Sequence, residues 1–377
     1  MAAPEYRWKE SIDTSPRRSG MTVVASLGGD DVGHITVPHI ALRFPGGICV
    51  PLAGIAGVGV DAGVRRRGIA AAMMQRVAQF ARERGYACSA VSTDYDNPAR
   101  RLYTRAGHEY LFTQYSYSGP LGQVSETAPQ NVLKPPQGTA VVRPFCADDA
   151  DAVLAFIERV ESPYFGTCDK VIEQCGGYMG YVAEQNGKII GSCNCFPLRL
   201  GLEANIFVAG RQRLAVAELL LNALAAKALE SGRTELHFSI PQDDRPLAHL
   251  LWQRGFRPQP SHVFMFGILD LQRLLELLQP MWEQRTDGLD GSNVPERIVV
   301  RMQDQTGTLR LHGRAPPIAV QGSRYVMTRV VCGTISAWEA YLCGCLAVRP
   351  EPTERTAEVL GALLPAVPYH NPGTDRW

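Results

Sequence analysis

The sequence lacks any hydrophobic run long enough to cross a membrane, because no apolar stretch reaches 18 residues. Its first ten residues, MAAPEYRWKE, carry charges where a secretory signal needs an apolar core. These two absences argue against a membrane-spanning or secreted protein. We therefore expect a cytoplasmic protein with no membrane partner.

Neither sign of charge is in excess, since 38 Lys+Arg face 37 Asp+Glu for a net charge of +1. A protein that binds nucleic acid through a broad positive field needs a surplus of basic residues. We therefore expect no nucleic-acid partner.

Cysteine is also sparse, with 10 in 377 residues, which is too few for a disulfide scaffold and predicts reduced thiols. The pairs Cys193-x-Cys195 and Cys343-x-Cys345 lack the two-residue gap of zinc knuckles, and the eight histidines form no pair at helical spacing. The sequence therefore predicts buried thiols and no metal.

What remains is an ordinary globular composition, 45% hydrophobic and 20% charged, over a length typical of two or three domains. A polar stretch rich in Pro, Gly and Gln predicts a linker at 122–139, between a first block at 1–121 and a second at 140–266. A third block follows at 267–377. The predicted fold class is α+β.

The first block reads as strands at 21–27, 35–44 and 54–60, a helix at 68–83, a strand at 88–92 and a short helix from Asn97 to Gly107. The second block repeats this order weakly, with a helix at 149–160, strands at 181–184 and 189–195, a helix at 214–229, a strand at 235–240 and a helix at 247–255. The segment LYTRAGHEY at 102–110 resembles LLWQRGFRP at 250–258, which indicates an internal duplication. The third block reads as a helix from Leu271, strands at 297–302, 308–312, 318–320 and 325–331, and a helix at 353–364.

One stretch suggests chemistry: a strand ends at Val60, and a helix begins near Gly68 after three consecutive arginines. A helix start offers free N–H groups and the positive end of the helix dipole, which together favour an anion. Gly68 and Ala70 would let a phosphate approach the backbone closely. By itself, this stretch is equally a solvated basic turn before an ordinary helix.

A second segment completes a two-part pattern that resembles the GNAT superfamily of N-acetyltransferases. The family's Arg/Gln-x-x-Gly-x-Gly/Ala is matched by Arg65, Gly68 and Ala70, and its later Asn…Tyr…Gly-Phe by Asn97, Tyr103 and Gly107, with His108 in place of Phe. The layout of the whole chain is similar to the enhanced intracellular survival type. That type has two GNAT units in tandem, followed by a smaller α+β domain like sterol carrier protein.

The resemblance implies an acetyl-CoA-dependent N-acetyltransferase, with acetyl-CoA between two splayed strands. Backbone groups of Val58, Gly59 and Val60 would hold the pantetheine and thioester. The pyrophosphate site would comprise Arg65, Arg66, Arg67, Gly68, Ile69, Ala70 and Ala71. Asn97 would lie near the pantetheine arm, although a helix cap explains this residue equally well.

The resemblance also implies an acid and a base. Tyr103 matches the general acid that protonates the leaving thiolate, although packing on a short helix would also account for a tyrosine there. The C-terminal carboxylate of Trp377 would be the base, with His370 and Asp375 as competitors. A frayed terminus is the alternative for this tail.

Two departures from the family are visible. The second unit has Leu214 where the first has Gly68, so it is expected to be degenerate and to bind no acetyl-CoA. Only about 20 residues precede Met21, too few for the two helices that cover the acceptor side in the family. We therefore expect either an unusually open acceptor side or a true start further upstream.

The expected acceptor is a primary amine, either on an aminoglycoside-like or polyamine-like small molecule or on a protein lysine. The alternative is a non-catalytic protein that binds acyl-CoA or an apolar ligand on the same scaffold. The resemblance further implies a homo-oligomer, a hexamer in the family.

Overall fold

The computed structural model describes residues 5–9, 20–44, 47–121, 140–159, 164–165, 180–197, 201–208, 213–241 and 244–367. Within these residues, 13 strands form one mixed sheet and four form a smaller one. The predicted linker at 122–139 lies outside the described residues. In the described part of the chain, no helix is both long and apolar enough to cross a bilayer.

The first unit follows the predicted order of strands and helices. Its elements are β1 (Glu5–Lys9), β2 (Gly20–Leu27), β3 (Asp30–Phe44), β4 (Ile48–Val60), α1 (Ile69–Glu83), β5 (Cys88–Asp94), α2 (Arg100–Arg105) and β6 (Glu109–Pro120). Strands β1 and β6 were not predicted, and β1 pairs antiparallel with β2. Residues 10–19 alone separate β1 from β2, which is too short a segment for two helices of ordinary length.

The elements of the second unit are β7 (Val141–Pro144), α3 (Ala150–Arg159), β8 (Tyr164–Phe165), β9 (Tyr181–Gln185), β10 (Lys188–Pro197), β11 (Gly201–Val208), α4 (Arg213–Glu230), β12 (Glu235–Pro241), α5 (Arg245–Gln253) and β13 (Arg257–Ile268). From β9 onward, the second unit repeats the order that the first unit has from β2 onward, and it has an additional helix and short strand after its first strand. Asn186 and Gly187 connect β9 to β10 with φ of 52° and 74°. Positive φ at both residues is what a tight hairpin turn requires.

The two units exchange their last strands. In the sheet, β13 of the second unit lies between β5 and β6 of the first, and β6 in turn pairs with β12 of the second. Val263 is therefore opposite Thr93 on one side and Thr113 on the other. The exchange makes one continuous sheet out of two units.

The third block adds a four-stranded sheet and four helices. Its elements are α6 (Leu271–Thr286), β14 (Arg297–Met302), β15 (Gln305–Arg310), β16 (Ile318–Gly322), α7 (Arg324–Cys332), α8 (Ala337–Leu342), β17 (Leu346–Arg349) and α9 (Glu354–Leu363). Both α8 and β17 were absent from the sequence prediction, and β15 lies slightly earlier than the strand predicted at 308–312.

The predicted strand at 325–331 is wrong, because this segment is helix α7. Its β-branched residues favour a strand, but both ends carry helix signals. The Ser323 hydroxyl accepts a hydrogen bond from the Val326 N–H, and Gly333 closes the helix with φ of 80°. Burial of Met327 and Val330 on one face stabilises the helix against the local preference.

The third block packs on one face of the large sheet. Its buried residues, such as Leu278 and Trp282, form a single apolar cluster with Leu42, Leu52 and Ala90 of the first unit. The opposite face of the first unit holds α1 and α2 in a separate cluster. The third block therefore has no hydrophobic core independent of the sheet.

Because of this shared core, replacing Leu278 by Ala should lower the free energy of unfolding of the whole chain by about 2 to 5 kcal/mol. Leu278 is 0% exposed. The matched control is Leu342→Ala in the same block, since Leu342 is 64% exposed and should lose less than about 1 kcal/mol. Denaturant unfolding measures both, and equal losses would contradict a shared core.

Candidate functional site

The site begins where β4 and β5 part. Their parallel ladder covers Leu52 to Ile55 on β4 and Cys88 to Val91 on β5, whereas β4 continues to Val60 and β5 to Asp94. On its other edge β4 stays paired with β3 as far as Val60. Residues 56–60 therefore turn an edge toward β5 that has no strand partner among the described residues.

Backbone groups on an unpaired edge need hydrogen bonds from water or from a ligand. The end of β4 is built from small residues, with a register shift against β3 between His34 and Thr36, and Gly57 at φ of 56°. This irregularity lies just beyond the point where the ladder with β5 ends. An unpaired strand edge is the kind of surface along which an extended ligand can form main-chain hydrogen bonds.

Helix α1 starts beside the end of this edge. Gly68 precedes it with φ of 81°, and Arg66 has φ of 66°. The N–H of Ala72 donates to the carbonyl of Gly68 at 3.0 Å, so the N–H groups of Ile69, Ala70 and Ala71 have no acceptor within the helix. Free N–H groups at a helix start favour an anion.

Space for such an anion is present. A Cβ atom at Gly68 would meet no atom within 4 Å, and Ile69 is buried and anchors the helix in the core. Arg65, Arg66 and Arg67 are exposed around the turn. The Arg65 Nε donates to the Val60 carbonyl at 2.9 Å, which joins the strand end to the basic turn.

Tyr103 lies on α2, on the same sheet face as α1. Only 5% of the residue is exposed, and its ring belongs to the cluster that includes Met73 and Val77. Burial raises the pKa of Tyr103 above its ordinary value, so the phenol keeps its proton at neutral pH.

The side chain of Asn97 is engaged locally. Its Oδ1 accepts from the Ala99 N–H at 2.9 Å, and its Nδ2 donates to Thr93 Oγ1 at 2.8 Å. Asn97 thus joins β5 to the turn before α2, which begins at Arg100, later than predicted. The residue that precedes the helix is Ala99, and no side chain caps it, so the prediction of Asn97 as the N-cap is wrong. Its Oδ1 closes the turn that leads into the helix, and a role with ligand stays a prediction.

His108 occupies the position where the GNAT pattern has Phe, and it behaves as a packing residue. It is 2% exposed, and its Nε2 lies 2.8 Å from Ser89 Oγ. Burial, together with the charge of Arg324, lowers the pKa of His108 to about 4. The ring is therefore neutral at physiological pH and fills the space of an aromatic side chain.

The second unit has a similar opening but a different helix start. The ladder between β11 and β12 stops at Ala204 and Phe238, although both strands continue. Arg213 at the start of α4 forms an ion pair with the buried carboxylate of Asp244, the cap of α5. This ion pair connects the starts of the two helices.

Other predicted residues have different outcomes. Trp377, His370 and Asp375 lie outside the described residues, which end at 367. Cys193 and Cys195 are buried as predicted, but Cys343 and Cys345 are exposed, so that prediction was wrong for the second pair. They lie in the turn between α8 and β17, where the sequence indicated a continuous apolar element.

Sequence reasoning missed one side chain at the opening. His34 on β3 lies against Gly59 of β4, such that a Cβ on Gly59 would be 2.7 Å from His34 Cε1. This contact exists because His34 of β3 is paired with Gly59 of β4. That register follows from the irregular pairing between residues 34 and 36. The glycine-rich end of β4 was the available signal that something packs there.

Comparison with known proteins agrees with this geometry. Residues 2–108 match the family model described as the acetyltransferase (GNAT) family. No curated protein matches the chain in sequence.

Solved structures extend the likeness beyond the first unit. A GCN5-related N-acetyltransferase from Kribbella flavida is 18% identical with a TM-score of 0.61, covering 94% of this chain and 87% of its own. Another from Anabaena variabilis is 14% identical with a TM-score of 0.62, covering 93% and 89%. Eis1 from Mycobacterium abscessus is 16% identical with a TM-score of 0.61, covering 98% and 99%.

Identities this low show a shared fold and nothing finer. The third block is part of that shared fold, but its likeness to sterol carrier protein stays a prediction. The protein therefore has the fold of solved N-acetyltransferases along nearly its whole length, and its first unit matches the GNAT acetyltransferase family.

Proposed function

We propose that this protein is an acetyl-CoA-dependent N-acetyltransferase that acts on a primary amine. The observation that carries the proposal is the unpaired edge of β4, which opens beside the free N-terminus of α1. A ligand with an extended amide arm and a pyrophosphate matches both features. Acetyl-CoA has both.

In this proposal, backbone groups of Val58, Gly59 and Val60 bind the pantetheine arm and the thioester carbonyl. The pyrophosphate binds the N–H groups from Arg66 to Ala71, and the guanidinium groups of Arg65 and its two neighbours add positive charge. The open space in front of Gly68 supports this assignment because a phosphate can contact the backbone there.

Tyr103 is the proposed general acid. Amine attack on the thioester expels a thiolate, which needs a proton. The phenol of Tyr103 retains its proton at neutral pH because burial raises its pKa. Asn97 holds the turn before α2 and thereby positions Tyr103 relative to β5.

For the base, the resemblance offers the carboxylate of Trp377, and we include it in the proposal. A C-terminal carboxylate has a pKa near 3.5, whereas amines titrate near 8 to 10, so direct proton transfer is uphill by roughly 6 to 9 kcal/mol. The carboxylate therefore needs a water or a second basic group between itself and the ammonium.

We further propose that the second unit binds no acetyl-CoA and serves as scaffold. Leu214 stands at the position of Gly68, and the ion pair of Arg213 with Asp244 crosses between its two helix starts. The alternative function, binding of an apolar ligand by the third block, is less well supported. Its buried apolar side chains are packed into the core that it shares with the sheet.

The acceptor is proposed by chemistry alone, as a primary amine on an aminoglycoside-like or polyamine-like molecule or on a protein lysine. Assembly into a homo-oligomer remains a proposal from the resemblance. The assay that tests the function is release of free CoA thiol from acetyl-CoA in the presence of each amine class.

Replacing Gly68 by Glu should abolish acetyl-CoA binding, because a carboxylate would enter the anion site. Gly85→Glu at the other end of α1 is the matched control, since Gly85 also has positive φ, at 77°, and open space around its missing Cβ. Both variants share a backbone strain of about 1 to 2 kcal/mol. Calorimetry should give one acetyl-CoA per chain for wild type and for the control, and unchanged affinity in Gly68→Glu would refute the site.

Replacing Tyr103 by Phe should lower kcat by about two to four orders of magnitude with little change in acetyl-CoA affinity. Tyr110→Phe is the control, because Tyr110 also packs partly against this core. Steady-state kinetics and calorimetry separate the two effects. Full activity in Tyr103→Phe would remove the phenol from the mechanism.

Extending the chain by a few residues past Trp377 should lower kcat by a similar factor, because the terminal carboxylate would be displaced while the fold remains. Thermal unfolding of the extended protein provides the control for folding. If the folded, extended chain keeps full activity, the carboxylate takes no part, and Asp375 or His370 becomes the candidate in this tail.

A further inference from the structure

The sheet face opposite α1 is covered by the third block over only part of its length. Leu42 and Leu52 of β3 and β4 lie in the shared core, but His34 and Thr36, nearer the opening, are exposed. Within the part of the chain that the structure describes, the face beside the opening is therefore accessible to an acceptor.

His34 projects onto this face and lies over the end of β4. A Cβ on Gly59 would be 2.7 Å from Cε1, 3.2 Å from Nδ1 and 3.3 Å from Nε2 of the ring. A Cβ on the preceding residue, Gly33, would instead be 3.1 Å from Met73 of α1. Side chains alternate along a strand, so His34 points away from the face that carries α1. Tyr103 packs on the α1 face, and the two residues are therefore on opposite sides of the sheet.

The imidazole of His34 forms no hydrogen bond with any residue that the structure describes, and both of its nitrogens are available to a ligand. Two other histidines of the first unit are engaged: His39 Nδ1 lies 2.9 Å from the Tyr86 hydroxyl, and His108 is sealed against Ser89.

Among the described residues, few charged groups lie around His34. On β4 its neighbours are Gly59 flanked by valines, and on β2 the residue opposite is Val24. The register places Arg7 of β1 beside Val24 in the same row. Across the opening, His262 Nε2 lies 3.3 Å from Asp94 Oδ1, and their pairing with β5 places both on the same face as His34.

Building on the proposed acetyl transfer, we infer that His34 is the base that takes the proton from the acceptor ammonium. It lies against the strand end proposed to hold the thioester, on the face opposite the proposed acid. Histidine is the side chain most often used as a general base. Both ring nitrogens of His34 are open to a ligand at this position, whereas the terminal carboxylate lies outside the described residues.

The step balances as follows. The ammonium gives one proton to His34, and the neutral amine that results attacks the thioester carbonyl carbon, which forms the C–N bond. The C–S bond then breaks, and the thiolate takes the Tyr103 proton. The new amide nitrogen gives its surplus proton to the Tyr103 oxygen, and His34 releases its proton to solvent.

The test uses the full chain, acetyl-CoA and an amine panel of an aminoglycoside, spermidine and a lysine peptide. His34→Gln should lower kcat about 10²- to 10⁴-fold at pH 7, with acetyl-CoA affinity within about threefold by calorimetry. The rise of kcat with pH that the wild type shows should be lost in this variant. Added imidazole should partly restore turnover in His34→Ala.

His262→Gln is the matched control, because it removes the other exposed imidazole on this face, and it should keep the wild-type rise with pH. The inference is overturned if His34→Gln keeps wild-type kcat and pH profile, or if His262→Gln shows the loss instead. A folded wild type that releases no CoA with any amine refutes the proposed function itself. That result differs from an active wild type whose kcat is unchanged by His34→Gln, which refutes only the role of His34.

Discussion

The structure of the first unit depends on the early end of one parallel ladder, the pairing of β4 with β5. It stops at Ile55 and Val91 although both strands continue. If β4 and β5 were paired along their full lengths, there would be no opening. The anion site at the start of α1 would then have no unpaired strand edge beside it. The glycines at the end of β4 serve the same geometry, because one takes the positive φ of the bend and another leaves room for a side chain of β3.

The second unit and the third block supply strand pairing and packing that compensate for the ladder lost at the opening. Strand β13 pairs along the full length of β5, and so holds β5 in place on the side away from the opening. The third block buries the face of β3, β4 and β5 that lies beyond the opening. With β13 on one side and the third block on one face, β4 and β5 can diverge while both strands stay paired and packed. This contribution to the sheet would account for the retention of a second unit that has no equivalent of Gly68.

The sequence predicts the parts of this arrangement that are local. The end of β4, the start of α1 and the position of Tyr103 follow from hydrophobic periodicity and from glycine placement, and the structure has them there. Segment 325–331 was misassigned because its composition favours a strand, whereas its caps and burial favour a helix. The strand exchange and the contact of His34 with Gly59 depend on pairings between distant segments or on an irregular register, and neither has a signature in composition.

The exchanged strand also affects how the chain is made. β5 leaves the ribosome with one edge unpaired, and its partner β13 follows roughly 160 residues later, which is on the order of ten seconds or more of translation. Until then β5 and β6 cannot occupy their final places, and an open edge invites pairing with other chains. The first unit therefore matures only once the second has been synthesised, and a nascent chain stopped before β13 would be a substrate for chaperones.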